Sequence, residues 1–226
     1  AELLAAIRQA EFMDAVIGAD RSLWRDEVGV FPPGSPMASD EGLDVMEGRR
    51  DFDRIRRAVT EAGYAGEKVV VLGVADVPAL AALSRVGAET LRRAGLEVEA
   101  LSLPWAEVVA RRARREAPAE GGWSVTFATL AGLDAFHPGL HPGLRGNGAE
   151  GWFGWPTLPR LEELREAWLE TAELPAQQRI ARDIQRTALE EAPFLPLGQY
   201  FQGTAYRRGL TGMPKGLPLF WNIQRS

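Results

Sequence analysis

The alternation of helical and extended segments in the middle of the chain constrains the fold most strongly. Lys68–Val74 is a nearly continuous apolar run, which is typical of a strand that is buried on both faces of a parallel sheet. Two further strands are predicted, at residues 96–100 and 123–130, and helices at 78–94 and 105–115 separate the three. Because a β-α-β-α-β order packs as a right-handed parallel sheet covered by helices, the sequence predicts an α/β fold.

Helices and long loops flank this unit. Asp51 is placed to cap a helix over residues 52–62, and Gly63 is placed to end it. Apolar periodicity predicts three more helices, and composition rich in glycine, proline and aspartate predicts a long loop before the unit and a glycine-rich loop after it. The helices are expected at residues 2–17, 158–171 and 175–192, and the loops at 18–50 and 131–156.

The last of these helices runs directly into a stretch bounded by prolines. Pro193 ends the helix, because it has no N–H group and biases Ala192 away from helical backbone angles. Residues 193–197 are apolar and predict a short strand, which Pro193 and Pro196 restrict to an edge or crossing position. Beyond it, the glycine- and proline-rich sequence predicts an extended C-terminal tail.

Composition excludes several classes of protein. The 226 residues carry a net charge of −5, which disfavours a nucleic-acid partner, and Arg111–Arg115, the one basic cluster, is interpreted as a solvated helix end. No cysteine is present, so disulfides, thiolate metal sites and cysteine catalysis are excluded. No apolar run reaches the roughly 20 residues that span a bilayer. The chain begins as a helix without a capping residue, which indicates a fragment boundary, so the lack of a signal peptide does not assign a compartment.

A ligand site is predicted in the loop that follows the third strand, because ligands of open α/β sheets bind beyond the carboxyl ends of the strands. Asp134 lies there and could pair with a ligand ammonium group, or could simply be a turn or cap residue. The aromatic residues of the loop could stack on a ligand, or could serve as core or lid packing. The predicted ligand-binding residues are Asp134, Phe136, Arg145, Asn147, Trp152 and Trp155.

Metal and phosphate sites are not expected. His137 and His141 could bind a metal with Asp134 or Glu150, but Pro138 and Gly139 disfavour the helix that would align the two imidazoles, so two loop histidines without a metal role are predicted. The glycine-rich residues 146–151 lack the Lys-Ser/Thr pair of a phosphate-binding loop. No cofactor is therefore predicted.

Several segments, taken in order, resemble one known family. The helix from Asp51 that ends at Ala62-Gly63-Tyr64, the helix-to-strand corner at residues 91–98, the helix that begins at Trp105, and residues 183–197 are similar to extracellular solute-binding proteins of the peptide/nickel group, family 5. These proteins are the receptors of ABC importers. The resemblance covers nearly the whole chain.

The resemblance implies a periplasmic-binding-protein-like lobe with a parallel-rich sheet. Residues 1–197 would form the C-terminal ligand-binding lobe, and residues 198–226 would return to an N-terminal lobe absent from this chain. It further implies a binding protein rather than an enzyme, which captures a small solute such as a peptide or amino-acid derivative between two lobes that close by hinge motion. Asp134 would meet the ligand's α-amino group. A membrane permease would be the partner, and the location would be periplasmic or extracellular, with a lipid anchor in the full-length protein as one option.

Two other functions and one assembly state stay open at this point. A hydrolase or transferase could use Asp134 and Glu150 as an acid/base pair. A nickel or haem receptor could use His137 and His141. Residues 203–226 carry large apolar side chains, so without a covering lobe we expect them to disorder or to associate with a neighbouring molecule.

Overall fold

A computed structural model describes residues 2–46, 50–214 and 219–225. The predicted α/β class is confirmed, with a parallel sheet flanked by helices. The α-helices are α1 (Gln9–Ile17), α2 (Phe52–Glu61), α3 (Pro78–Arg93), α4 (Trp105–Arg112), α5 (Pro159–Glu170) and α6 (Leu174–Glu191). The strands are β1 (Trp24–Arg25), β2 (Lys68–Val74), β3 (Glu97–Leu103), β4 (Val125–Thr126), β5 (Gln199–Tyr200), β6 (Leu210–Thr211) and β7 (Gln224–Arg225).

The central sheet has the order β3-β2-β4, and both pairings are parallel. The middle strand, β2, is buried from Val70 to Val74, as its apolar run predicts, because neighbouring strands flank it and α3 packs on it. The third predicted strand, at residues 123–130, is largely wrong, since only Val125 and Thr126 pair with β2. Residues 128–134 are exposed, so no apolar burial holds this stretch in the sheet.

Asp51 caps α2 as predicted, because its carboxylate accepts hydrogen bonds from the N–H groups of Asp53 and Arg54. Gly63 follows the end of this helix with a φ of 98°, in the left-handed region that favours glycine.

The helix predicted over residues 2–17 is broken in two. A 3-10 helix covers Glu2–Ala6, Arg8 is extended with a φ of −130°, and α1 begins at Gln9. The break lets the Arg8 guanidinium donate a hydrogen bond to the Met46 carbonyl at 2.7 Å. Hydrophobic periodicity could not reveal it, because the cause is a polar contact with a residue far away in the sequence.

Two large hydrophobic clusters form most of the core. The first joins α1, β2 and α3, and its buried members include Phe12, Met13, Leu72, Leu83 and Val108. The second joins α5 and α6 to the loop before α2, and its buried members include Phe31, Leu144, Leu161, Trp168 and Ile184. The long loop predicted over residues 18–50 is thus tied into the core.

Gln185 of α6 holds this loop through its buried amide. Its Oε1 atom accepts a hydrogen bond from Val30 N at 3.1 Å, and its Nε2 atom donates to the carbonyls of Ser39 and Glu41 at 3.1 and 2.7 Å. Gly29 leaves room for the amide, since a Cβ atom at that position would lie 2.3 Å from Gln185 Oε1. One side chain therefore satisfies three backbone groups of an irregular segment.

The strand predicted at residues 193–197 is wrong, and the ladder forms two residues later. Ala192 ends α6 in the left-handed conformation, and β5 at Gln199–Tyr200 pairs antiparallel with β1. Pro193 and Pro196 have no N–H to donate to a ladder, and the Pro196 carbonyl instead accepts from the Gln9 side chain at 3.0 Å. This stretch is fixed by side-chain packing and one polar contact rather than by strand pairing.

Beyond β5, the chain is mostly exposed. Residues 201–209 are exposed, and β6 pairs with β7. Phe220 and Trp221 leave 81% and 73% of their surface accessible, so little of the described chain covers them. Leu217 of the predicted apolar tail lies outside the described residues. The division of the chain at residue 197 stays a prediction.

Among the described residues, no helix is long and apolar enough to cross a membrane.

Replacing Gln185 with leucine is expected to lower the free energy of unfolding by about 2–4 kcal/mol, because Val30 N and two carbonyls lose their partners in a buried site. Urea unfolding followed by circular dichroism would measure the change. Gln178→Leu is the matched control, since Gln178 lies on the same helix and bonds the same loop at the exposed Pro36 carbonyl. Equal losses in both variants would contradict the role given to Gln185.

Candidate functional site

A cavity of about 990 Å³ lies beside the carboxyl end of β4. One wall consists of residues 123–132, which contain β4 and the stretch that follows it. Residues 152–154 of the glycine-rich loop and residues 192–200 after α6 supply further walls. Gly87 of α3 also lines the cavity and leaves room for the Phe127 ring, since a Cβ atom at this position would lie 2.2 Å from Phe127 Cζ. The position agrees with the rule that ligands of α/β sheets bind beyond strand ends.

The structure places two of the six predicted ligand-binding residues in the cavity lining. Arg145 and Trp152 line it, whereas Asp134, Phe136, Asn147 and Trp155 do not. Asp134 is exposed in a turn, where its N–H donates to the Ala131 carbonyl at 2.9 Å. A role of Asp134 in ligand binding stays a prediction.

The other three predicted residues form contacts outside the cavity lining. The Phe136 ring lies 6.4 Å from that of His137, which stacks on Trp168 of α5 at 5.0 Å. Asn147 is exposed and forms an isolated β-bridge with Thr157. Trp155 is half-buried, with its ring 6.2 Å from that of Trp123. These contacts fit the packing alternative for the loop aromatics better than ligand stacking.

Arginines of the basic cluster pack against aromatic residues of the glycine-rich loop. The Arg112 guanidinium lies 4.3 Å from the Phe153 ring centre, and that of Arg115 lies 4.6 Å from that of Trp155. Arg115 also donates to the Ala149 carbonyl at 3.1 Å. The prediction of a solvated helix end is wrong for Arg111 and Arg112, which are half-buried. The flat guanidinium group of Arg112 packs on aromatic faces, and that of Arg111 donates to the Gly122 carbonyl at 3.4 Å.

His141 is buried against two aromatic rings. It is 3% exposed, stacks on Phe194 with ring centres 5.0 Å apart, and meets Phe31 edge-on at 6.3 Å. Its Nδ1 atom has no hydrogen-bond partner within the described part of the chain. Burial lowers the pKa of His141 to about 4, against a smaller opposing effect of hydrogen bonding to the backbone at Val30. The imidazole is therefore neutral at pH 7.

Neither the metal site at His137 and His141 nor the acid/base pair of Asp134 and Glu150 is formed in the described part of the chain. The His137 Nδ1 atom accepts a hydrogen bond from Gly139 N at 3.2 Å, and the two histidines stack on different elements. No group of three or more histidine and carboxylate side chains suited to a metal ion occurs among residues 2–46, 50–214 and 219–225. Glu150, like Asp134, is exposed and lies outside the cavity lining.

Sequence reasoning missed several parts of the site. The described charged side chains of the cavity lining are Glu2, Arg112 and Arg145, and only Arg145 was predicted. His141 was predicted as a loop residue, but its position in the lining was not. The contact of Arg112 with Phe153 has no local signal, since Phe153 lies in another loop, whereas its contact with Trp105 lies within α4.

Similarity to solved structures defines the class of the fold. The chain superimposes on the ABC transporter substrate-binding protein CtaP of Listeria monocytogenes with a TM-score of 0.70 at 16% identity, over 88% of this chain and 39% of that one. It superimposes on a dipeptide-binding protein of Pseudoalteromonas in complex with Met-Leu with a TM-score of 0.68 at 19% identity, over 95% and 42%. The fold is that of a part of a periplasmic binding protein.

A curated relative is similar to the chain in sequence. The chain is 31% identical over 225 residues to a probable peptide ABC transporter periplasmic-binding protein of Sinorhizobium fredii, over 99% of this chain. The resemblance to family 5 solute-binding proteins is thereby confirmed. The chain spans 42% of the length of that relative. No family model matches the chain.

His141 should make stability depend on pH. Its pKa is about 4 in the folded protein and 6.5 in the unfolded chain, so the neutral form contributes stability that is fully present above pH 6.5 and is lost as the pH falls towards 4. We expect a loss of about 3 kcal/mol across this range from this group. His141→Phe retains an aromatic ring against Phe194 and removes the titration, so urea unfolding at pH 7 and 4.5 should show a smaller pH effect in the variant. The same pH effect in both proteins would contradict this assignment.

Proposed function

We propose that the chain is part of the solute-binding component of an ABC importer, and that this component captures a peptide or related solute between two lobes. The observation that carries the proposal is a cavity of about 990 Å³ beyond the end of β4, in a fold shared with such receptors. This volume falls at the upper end of the roughly 300–1,000 Å³ that is common for small-ligand sites. The peptide is inferred from the relative in Sinorhizobium fredii and from the Met-Leu complex of the dipeptide-binding protein.

The division into lobes is part of the proposal. Residues 1–197 act as one ligand-binding lobe, and residues 198–226 lead to a second lobe supplied by the rest of the protein. The segment 192–200 lines the cavity and leads into the exposed residues 201–209, so a hinge in this region would move the second lobe over the cavity. Asp134, which is exposed two residues beyond the wall formed by residues 123–132, would bind the ligand's ammonium group once the lobes close.

The location and partners follow from this function. The full-length protein resides in the periplasm or outside the cell, presents its closed form to a membrane permease, and converts no substrate. The exposed Phe220 and Trp221 pack on the second lobe in the full-length protein. In the isolated chain they are expected to associate with a neighbouring molecule through residues 203–226.

Isothermal titration of the full-length protein with di- to pentapeptides would test the function. We expect binding with no chemical change in the peptide, and a loss of roughly 10-fold or more in affinity for Asp134→Asn, since charge-assisted hydrogen bonds are among the strong ones. Asp44→Asn is the matched control, because Asp44 is exposed and does not line the cavity.

Mass spectrometry of the peptide after incubation separates this function from the hydrolase alternative. Cleavage that is lost in both Asp134→Asn and Glu150→Gln would replace the receptor with an enzyme. Unchanged affinity in Asp134→Asn would instead leave the receptor in place and remove Asp134 from its site.

A further inference from the structure

A closed hairpin, residues 146–158, forms the last part of the loop before α5. The Leu158 N–H group donates to the Gly146 carbonyl at 2.8 Å and closes the base of this hairpin. The Gly146 N–H group donates to the Glu162 carboxylate of α5 at 2.6 Å. The base of the hairpin is therefore fixed to α5, whatever conformation its tip adopts.

The tip of the hairpin is an aromatic turn, residues 152–155, with a strained backbone. The Trp155 N–H group donates to the Trp152 carbonyl at 2.9 Å. Trp155 has a φ of 47°, in the left-handed region that bulky residues rarely adopt, although the following Pro156 favours an extended backbone there. Strain of this kind persists only where surrounding contacts enforce the conformation.

Contacts from outside the hairpin hold the aromatic turn in this conformation. The Arg115 guanidinium lies 4.6 Å from the Trp155 ring centre, and its Nη2 atom donates to the Ala149 carbonyl at 3.1 Å. The Trp123 ring centre lies 6.2 Å from that of Trp155. Because Ala149 precedes the turn and Trp155 ends it, the Arg115 side chain connects the two limbs of the hairpin.

The aromatic turn forms part of the cavity wall. Trp152 and Phe153 line the cavity, with their ring centres 5.8 Å apart, whereas Trp155 and Arg115 lie outside the lining. The Phe153 ring also packs on the Arg112 guanidinium at 4.3 Å. The position of two rings in the cavity wall therefore depends on an arginine that does not reach the cavity.

We propose that Arg115 is a positioning residue that holds the aromatic turn at the cavity, and that Trp152 and Phe153 thereby form a subsite for a large apolar group of the ligand. The ligand part of this inference rests on the proposed function. Without the Arg115 contacts, the Trp155 backbone relaxes towards the extended conformation that Pro156 favours, and the two rings leave their positions.

Hydrogen exchange of the unliganded full-length protein, followed by mass spectrometry, tests the role of Arg115 without any ligand. Arg115→Gln should raise the exchange rate of the segment 148–156 roughly 10-fold, because a cation–π contact and a hydrogen bond are lost. Arg115→Lys should restore part of the protection, since an ammonium group also binds aromatic faces. Arg114→Gln is the matched control, because Arg114 is the adjacent arginine, is exposed and does not line the cavity.

Titration calorimetry of the same proteins with the dipeptides Ala-Phe and Ala-Ala tests the subsite. The wild-type protein should bind Ala-Phe roughly 10-fold more tightly, since the phenyl ring packs on the aromatic turn. Arg115→Gln should lose most of this preference by weakening Ala-Phe, Arg115→Lys should regain part of it, and Arg114→Gln should keep it. Thermal melting should report all three variants as folded, because both arginines are exposed.

Unchanged exchange in Arg115→Gln would overturn the inference whatever the dipeptides show. Faster exchange together with equal losses of affinity for the two dipeptides, or with an unchanged preference, would overturn it as well, because the turn would then supply no apolar subsite. Equal binding of both dipeptides by the wild-type protein has the same meaning and leaves the proposed function intact. Binding of neither dipeptide nor any longer peptide overturns the proposed function, and the subsite with it.

Discussion

The Gln9 side-chain amide connects the long loop before α2 to the cavity wall after α6. Its Nε2 atom donates to the carbonyls of Val28 and Pro196 at 2.7 and 3.0 Å, and its Oε1 atom accepts from Val28 N at 2.8 Å. Val28 belongs to the long loop before α2, and Pro196 belongs to the cavity wall after α6. Because this side chain is 6% exposed, water cannot replace these bonds cheaply. The position of the wall therefore depends on a residue of the first helix, nearly two hundred positions earlier.

The features predicted correctly from the sequence have causes that lie within a few residues. The apolar run of β2 requires burial on both faces. The Asp51 carboxylate accepts hydrogen bonds from the N–H groups two and three residues later in the sequence. The helices from α2 to α6 follow from periodicity in the same way. Turns and caps are encoded locally, so a sequence alone suffices to place them.

The features predicted wrongly depend on distant partners. The 123–130 stretch has strand-like residues, but pairing stops at Thr126, where the chain becomes exposed along the cavity. The Pro193–Leu197 segment owes its path to the Gln9 amide and to packing of Phe194 on His141, neither of which is visible nearby in the sequence. The cavity follows the same division: a position beyond a strand end is what the α/β pattern predicts for a ligand site, whereas the position of Arg112 in the cavity lining depends on its contact with Phe153 in another loop.

The left-handed backbone at Ala192, with φ and ψ both at 50°, has a consequence for the proposed binding of a ligand. An alanine in this conformation costs about 1 kcal/mol, whereas glycine would adopt it freely. Alanine has fewer alternative conformations than glycine, so the direction in which the chain leaves α6 is more narrowly defined. The conformation of the cavity wall at residues 192–200 is consequently restricted before a ligand binds. Less entropy is then lost when this side of the cavity is filled, and the conformational cost of binding falls mainly on the parts that must still move.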